Sequence, residues 1–110
     1  MQPKILKYIL DIQSVIQEIE TIKTKANNNF ISFKSDIILQ RAIERDLEII
    51  GEAIRKIIEI DPSITITSAK NIIGLRNIIS YDSVEPEMIW GIIQNNILVL
   101  AEEIKKIKGL

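Results

Sequence analysis

The chain has 110 residues, the size of one domain with one hydrophobic core, so we expect a single domain over residues 1–110. Hydrophobic residues make up 46% of the chain and charged residues 26%, a balance typical of a folded protein rather than a disordered one. Cysteine and histidine are both absent. This excludes a disulfide framework, a cysteine nucleophile, histidine acid-base chemistry and the common thiolate or imidazole metal sites.

The net charge is −1, so the chain lacks the strong positive field of a protein that coats nucleic acid. Any RNA site must therefore be local. The apolar runs are too short to span a bilayer, and we expect no membrane partner. The N-terminal residues lead directly into an amphipathic pattern without a separate apolar signal core. We therefore expect a cytoplasmic protein.

Isoleucine occurs 28 times, so the spacing of apolar residues is a better guide to secondary structure than their β propensity. The first apolar stripe advances in steps of three and four, which predicts an amphipathic helix. Its members are Ile5, Ile9, Ile12, Ile16, Ile19 and Ile22. The asparagine run that follows, within residues 26–30, predicts a loop.

A second, long helix is predicted after this loop, with Ser32 or Ser35 as its N-cap and Asp61 as its end before a proline. Its stripe has the same spacing and consists of Leu39, Ile43, Leu47, Ile50, Ile54 and Ile57. The charged residues on its other faces are expected to be solvated, with Glu52 and Lys56 in the favourable order for an ion pair.

Residues 62–67 alternate isoleucine with serine or threonine, but a lone strand would have nothing to pair with, so we expect a linker. Thr67 or Ser68 can cap a third, short helix that runs to about Ser80.

A fourth helix is predicted from Pro86 to the stop at Gly109. Its stripe is Ile89, Ile93, Ile97, Leu100, Ile104 and Ile107. The sequence therefore predicts an all-α fold, an antiparallel up-and-down four-helix bundle with helix three short. Trp90 lies off this stripe and serves either as an interface anchor or as part of a wide core face.

Polar side chains concentrate where the third helix ends, within residues 74–84. Arg76 has two interpretations. Its guanidinium can bind the carbonyl groups at the end of the helix, or it can hold two oxygens of a phosphate group. Composition and spacing leave both open.

The segments RNIISYDSVEPEMIWGII and ERDLEIIGEAIRKI resemble the HepT-like ribonuclease toxins of the HEPN superfamily, which occur beside minimal nucleotidyltransferase antitoxins. The resemblance covers nearly the whole chain and implies a HEPN-like bundle. It also implies a homodimer that joins two copies of an arginine motif into one cleft, where RNA is cleaved without metal or other cofactor. Arg76 matches the motif arginine and Asn77 its polar neighbour, so both are candidate catalytic residues.

The family motif continues with a histidine and, two residues later, a tyrosine that the antitoxin modifies with AMP. Here Ser80 is followed directly by Tyr81, so two residues including the histidine are missing. By count Tyr81 occupies a permitted histidine position, but the residues after it align it with the modified tyrosine.

Three explanations of the missing histidine stay open: an inactive relative, an engineered deletion, or a histidine-bearing loop that this sequence lacks. We expect weak or no cleavage. The alternatives are a noncatalytic helical module that binds a nucleotidyltransferase and a nucleotide-binding bundle.

Overall fold

A computed structural model describes residues 2–74 and 85–109, and all regular secondary structure in these ranges is helical, as predicted. The elements in chain order are α1 (Pro3–Lys25), α2 (Phe30–Lys34), α3 (Ile37–Ile60), α4 (described over residues 69–74), α5 (Pro86–Gly91), a π-helical segment (Ile92–Asn96) and α6 (Ile97–Ile107). The last three follow one another without a break and form the predicted fourth helix.

The end of α1 confirms the predicted loop and shows its physical cause. Asn27 and Asn28 have φ angles of 57° and 50°, in the left-handed region that asparagine tolerates better than most residues. Asn28 donates its backbone N–H to the carbonyl of Lys23 and Asn27 donates to that of Thr24, both at 2.9 Å. This Schellman arrangement satisfies carbonyl groups that the helix end leaves unpaired.

The prediction that Ser32 or Ser35 caps the second long helix is wrong. Ser32 lies inside α2, and Ser35 is the residue that ends α2. The N-cap of α3 is Asp36, whose Oδ1 accepts from the backbone N–H groups of Ile38 at 3.0 Å and Leu39 at 3.2 Å. A carboxylate at this place also interacts favourably with the helix dipole.

The short helix α2 was not predicted. Asn29 begins it, because its side-chain oxygen accepts from the backbone N–H groups of Ile31 and Ser32. The buried Gln40 of α3 donates its side-chain N–H to the carbonyls of Phe33 at 3.1 Å and Lys34 at 2.9 Å. The carbonyl groups at the end of α2 are thus satisfied by the following helix.

The predicted stripes form the core. In α1 the stripe is buried except for the half-buried Ile16, and Val15 is buried in addition. The largest fully buried side chains come from most of the described helices and are Phe33, Ile9, Ile12, Ile19, Ile43, Leu47, Ile50, Ile54, Ile57, Ile72, Ile89 and Ile93.

Helices α1 and α3 run antiparallel. Tyr8 near the start of α1 shares a groove with Ala53 in the second half of α3. Ten residues further along α1, Glu18 is close enough to Asp46 to affect its ionisation. The partner positions on α3 therefore decrease as those on α1 increase.

The bounds of the fourth helix agree with the prediction. Pro86 lies in the first turn of α5, and Gly109 has a φ of 85° directly after the residue that ends α6. Near this end Lys108 donates to the side chain of Gln13 at 3.5 Å, which joins α6 to α1. Residues 61–68 form turns and irregular backbone, as the linker prediction requires.

Candidate functional site

The predicted site residues Arg76, Asn77 and Tyr81 lie in residues 75–84, outside the described residues. Their roles therefore stay predictions. The structure describes the two helices between which this segment runs: α4, which begins at residue 69 as the sequence predicts, and α5, which begins at Pro86.

The start of α4 is fixed by two hydrogen bonds to the fourth helix. The backbone N–H of Thr67 donates to Oε2 of Glu103 at 2.9 Å, and Oγ of Ser68 donates to the carbonyl of Asn96 at 3.4 Å. Ser68 and Ile72 are buried, so α4 enters the core from its first turn. The route toward residue 76 is thus anchored on its N-terminal side.

A groove of about 460 Å³ lies between α1 and α3. Among the described residues its lining contains three acidic side chains and one basic one; these lining residues are Tyr8, Asp11, Arg45, Glu48, Ile49, Glu52 and Ala53. Because RNA phosphates are attracted by a local excess of positive charge, this lining does not suit an RNA backbone. The described lining alone therefore gives no reason to place the ribonuclease site in this groove.

An arginine beside this groove is neutralised by two carboxylates. Arg55 donates to Glu52 at 2.7 Å and 3.4 Å and to Glu59 at 2.5 Å. The hydrogen bond with Glu52 is the main cause that raises the pKa of Arg55 above its usual value. The sequence places Glu52 and Lys56 in a favourable order for an ion pair; the structure shows Glu52 bound to Arg55, whose planar group can bind both carboxylates. Its donors to Glu52 and Glu59 are therefore not open to phosphate.

Asp46 is a buried carboxyl group that the sequence analysis did not single out. Asp46 is only 4% exposed, and its Oδ2 has no hydrogen-bond partner in the described part of the chain. The pKa of Asp46 is raised to about 6, mainly by burial and further by the nearby charge of Glu18, while Arg45 opposes the shift. A usable signal was present, because Asp46 follows Ile43 by three positions and precedes Ile50 by four, the spacing of the apolar stripe.

Trp90 makes contacts within its own chain. Its ring centroid lies 5.1 Å from that of Phe33 and 6.0 Å from that of Phe30, distances typical of favourable aromatic pairs. This contact favours the wide core face over the interface anchor. Large apolar side chains that are more exposed than Trp90 lie elsewhere and include Leu10, Ile31, Ile37, Ile38, Met88, Leu98 and Val99.

Within residues 2–74 and 85–109, no three side chains of the metal-binding types histidine, cysteine, aspartate and glutamate are grouped closely enough to hold a metal ion. A search of the same ranges for a helix with the length and apolar character of a membrane span finds none.

A comparison with protein families gives one match that covers nearly the whole chain. The model described as HepT-like, Ribonuclease HepT-like, matches residues 5–107. No curated protein and no solved structure matches the chain in the two other comparisons. The matched range includes all the described helices except the first two residues of α1, and it includes the segment with Arg76.

Proposed function

The chain belongs to the HepT-like ribonuclease family, and from this membership we propose that it is the toxin subunit of a pair formed with a nucleotidyltransferase antitoxin. A function of the ribonuclease toxin type follows from the family in general. In more detail, we propose that two copies of the chain form a homodimer in the cytoplasm and join their arginine motifs in one cleft. The observation that carries it is the family match over residues 5–107 together with Arg76 and Asn77 at the motif position.

In this mechanism Arg76 holds the phosphate that is cleaved. A guanidinium group keeps its charge at any physiological pH and can donate two parallel hydrogen bonds to phosphate oxygens, which stabilises the charge that develops during cleavage. Asn77 supplies a second polar group beside it. No metal or cofactor takes part, and the attacking group is the neighbouring ribose hydroxyl.

The proton of that hydroxyl has no histidine to accept it, because the chain contains none. Loss of a positioned acid-base group lowers rates by roughly 10²- to 10⁴-fold. A phenol such as that of Tyr81 is a weak substitute, since its unperturbed pKa is about 10. We therefore propose a site that binds RNA and cleaves it weakly or not at all.

Tyr81 is proposed as the residue that the antitoxin modifies with AMP. The added group is bulky and carries negative charge. Because Tyr81 is close to Arg76 in the sequence, the modification would repel the RNA phosphates that Arg76 is proposed to bind.

The test is cleavage of bulk RNA by the purified protein in the presence of EDTA, compared with the Arg76→Ala variant. We expect RNA binding that depends on Arg76 and slow or undetectable cleavage. Rapid cleavage that persists in EDTA and disappears in Arg76→Ala would overturn the proposal that cleavage is impaired, and it would support the assignment of Arg76 to the site. RNA binding and cleavage that are the same in both proteins would contradict the assignment of Arg76.

The missing histidine favours a second candidate function, a noncatalytic module that binds a nucleotidyltransferase. In that case the nucleotidyltransferase co-purifies with the chain, and Arg76→Ala changes neither this complex nor any cellular effect. A growth defect that requires Arg76 would exclude the module.

A further inference from the structure

The positive charge of the chain is concentrated in one segment. Residues 21–45 contain five basic and two acidic side chains, a net charge of +3, whereas the whole chain has a net charge of −1. All the other residues together therefore carry a net charge of −4. Such an asymmetry favours an anionic partner at the positive segment.

The fold gathers this segment at one corner of the bundle. The segment contains the end of α1, all of α2 and the first turns of α3. Because α1 and α3 are antiparallel, the end of α1 lies beside the start of α3. Gln40 donates to the carbonyls of Phe33 at 3.1 Å and Lys34 at 2.9 Å, which holds the start of α3 against the end of α2. The basic side chains of the three helices are therefore neighbours.

Two arginines of this corner lie one turn apart on α3. Arg41 and Arg45 are both exposed, and neither forms an ion pair with another residue that the structure describes. Like charges four positions apart on a helix repel each other, so the pair does not serve the stability of α3. Arg55 on the same helix differs, because its guanidinium is bound to two carboxylates. The guanidinium groups of Arg41 and Arg45 can instead donate to phosphate oxygens.

Two lysines extend the positive charge to the neighbouring helices. Lys25, the last residue of α1, is exposed and has no ion pair within the described ranges. Lys34, the last residue of α2, forms an exposed ion pair with Glu87 at 3.1 Å, and such a pair is weak enough to be exchanged for a phosphate. Asn28 between them is exposed, and an asparagine amide also donates to phosphate in nucleic-acid complexes.

The acidic side chains of the segment reduce this charge without cancelling it. Asp36 is the N-cap of α3, where its charge is balanced in part by the helix dipole. Glu44 is half-buried. The fifth basic residue, Lys23, is buried and pairs with Glu20 at 3.6 Å, so it is not counted as part of the surface.

We propose that Lys25, Lys34, Arg41 and Arg45 form a surface, here called the basic corner, that binds the phosphate groups of single-stranded RNA. Contacts of this kind add affinity without selecting a sequence. The inference rests on the proposed function for the identity of the ligand, and it needs no contact with residues 75–84.

A protein partner is the alternative occupant, because Ile31 and Ile38 of the same segment are 74% and 76% exposed. RNA is favoured by the two exposed arginines without carboxylate partners among the described residues and by the chain's membership of a ribonuclease family.

Two double variants separate the basic corner from the total charge of the protein. The first combines Arg41→Ala with Arg45→Ala. The matched control combines Lys105→Ala with Lys106→Ala, which removes the same two charges from exposed positions on α6. A second pair compares Lys25→Ala with Lys4→Ala, exposed lysines at the two ends of α1. Since all these side chains are exposed, we expect the thermal unfolding of every variant to match that of the wild-type protein.

The measurement is the affinity for a labelled single-stranded oligouridine in EDTA at a series of salt concentrations. We expect the double arginine variant to bind at least about tenfold more weakly, since it loses two charge-assisted contacts. The slope of log K against log salt concentration should become shallower by about 1.4, or roughly 0.7 for each phosphate contact on a single strand. Lys25→Ala should lose about half of this slope change. The Lys105 and Lys106 control and Lys4→Ala should stay close to the wild-type protein.

Equal losses in the two double variants would show that only the total charge matters, and they would overturn the basic corner. Unchanged affinity in the double arginine variant, or no RNA binding by the wild-type protein, would do the same. Loss of co-purification with the nucleotidyltransferase at unchanged RNA affinity would assign the surface to a protein partner instead. Arg76→Ala in the same assay separates the two proposals. Binding that depends on Arg41 and Arg45 but not on Arg76 leaves the basic corner standing while the proposed role of Arg76 fails.

Discussion

Asp46 is the described residue whose ionisation the fold alters most clearly. Its pKa of about 6 lies above the ordinary value of 3.8, since burial favours the neutral acid over the carboxylate. The folded state therefore binds this proton more tightly than the unfolded chain. The contribution of Asp46 to stability is complete below about pH 4 and is lost as the pH rises through about 6.

Replacing Asp46 with asparagine removes a charge that the folded state disfavours at neutral pH. We expect Asp46→Asn to raise the free energy of unfolding by about 1–3 kcal/mol at pH 7 and to have little effect at pH 4. Urea unfolding at a series of pH values measures this. Asp11→Asn is the control, because Asp11 forms an exposed ion pair with Lys7. A stabilisation that is independent of pH would contradict the assignment of the pKa.

The two asparagines after α1 are the described non-glycine residues with positive φ. Asn28 is exposed, so a change of its side chain acts through the backbone rather than through packing. We expect Asn28→Val to destabilise the protein by about 1–2 kcal/mol, because a β-branched residue is disfavoured in this conformation. Asn28→Gly should be nearly neutral. Thermal unfolding of the two variants checks this, and equal melting temperatures would show that the turn adopts another conformation in solution.

Helix α2 depends on its packing. Its five residues are too few for stability in isolation, since helix nucleation is costly. The element is retained because Phe33 is fully buried and lies against Trp90 of α5. An exposed ion pair between Lys34 and Glu87 at 3.1 Å joins the same two helices but adds little.

Phe33→Ala tests this dependence. We expect a loss of about 3–5 kcal/mol in the free energy of unfolding, since a large aromatic side chain leaves a cavity in the core. Ile31→Ala on the same helix is the control, because Ile31 is 74% exposed and its removal should change stability by less than about 0.5 kcal/mol. Urea denaturation of both variants gives the comparison. Similar losses in the two would mean that α2 is not anchored by its aromatic contact.

The long helices could be predicted because their stripes repeat over many turns, and α2 could not because five residues show no period. The π-helical segment left no distinct signal in the spacing. Ile89, Ile93 and Ile97 step by four twice in succession, but Leu39, Ile43 and Leu47 do the same within the regular helix α3. The N-cap of α3 was harder to predict, because serine and aspartate are both good N-caps. Only the structure shows that Asp36 is the capping residue.

For the candidate site, local spacing leaves Arg76 open between a contact with the end of its helix and a contact with phosphate, and its catalytic role is a prediction from the family resemblance. Local spacing does not show the contact between Glu103 and Thr67, because a hydrogen bond between residues 36 positions apart depends on how the helices pack. At the scale of the whole molecule the bundle supplies a stable frame, and the proposed activity depends on two copies and on an acid-base group. The frame and the activity can therefore be tested separately.

Inserting the histidine that the motif lacks tests the proposed ribonuclease activity. We expect that inserting His-Ala between Ser80 and Tyr81 increases metal-independent cleavage of RNA by roughly 10²- to 10⁴-fold over the chain as it stands. An Ala-Ala insertion at the same place is the control, because it lengthens the segment without an acid-base group. The gain should require Arg76 and follow the titration of an imidazole base, with a rate that rises as the pH passes through about 6.5 and then levels off. Equal rates for the two insertions would show that the chain lacks more than a proton acceptor, and would favour the noncatalytic module.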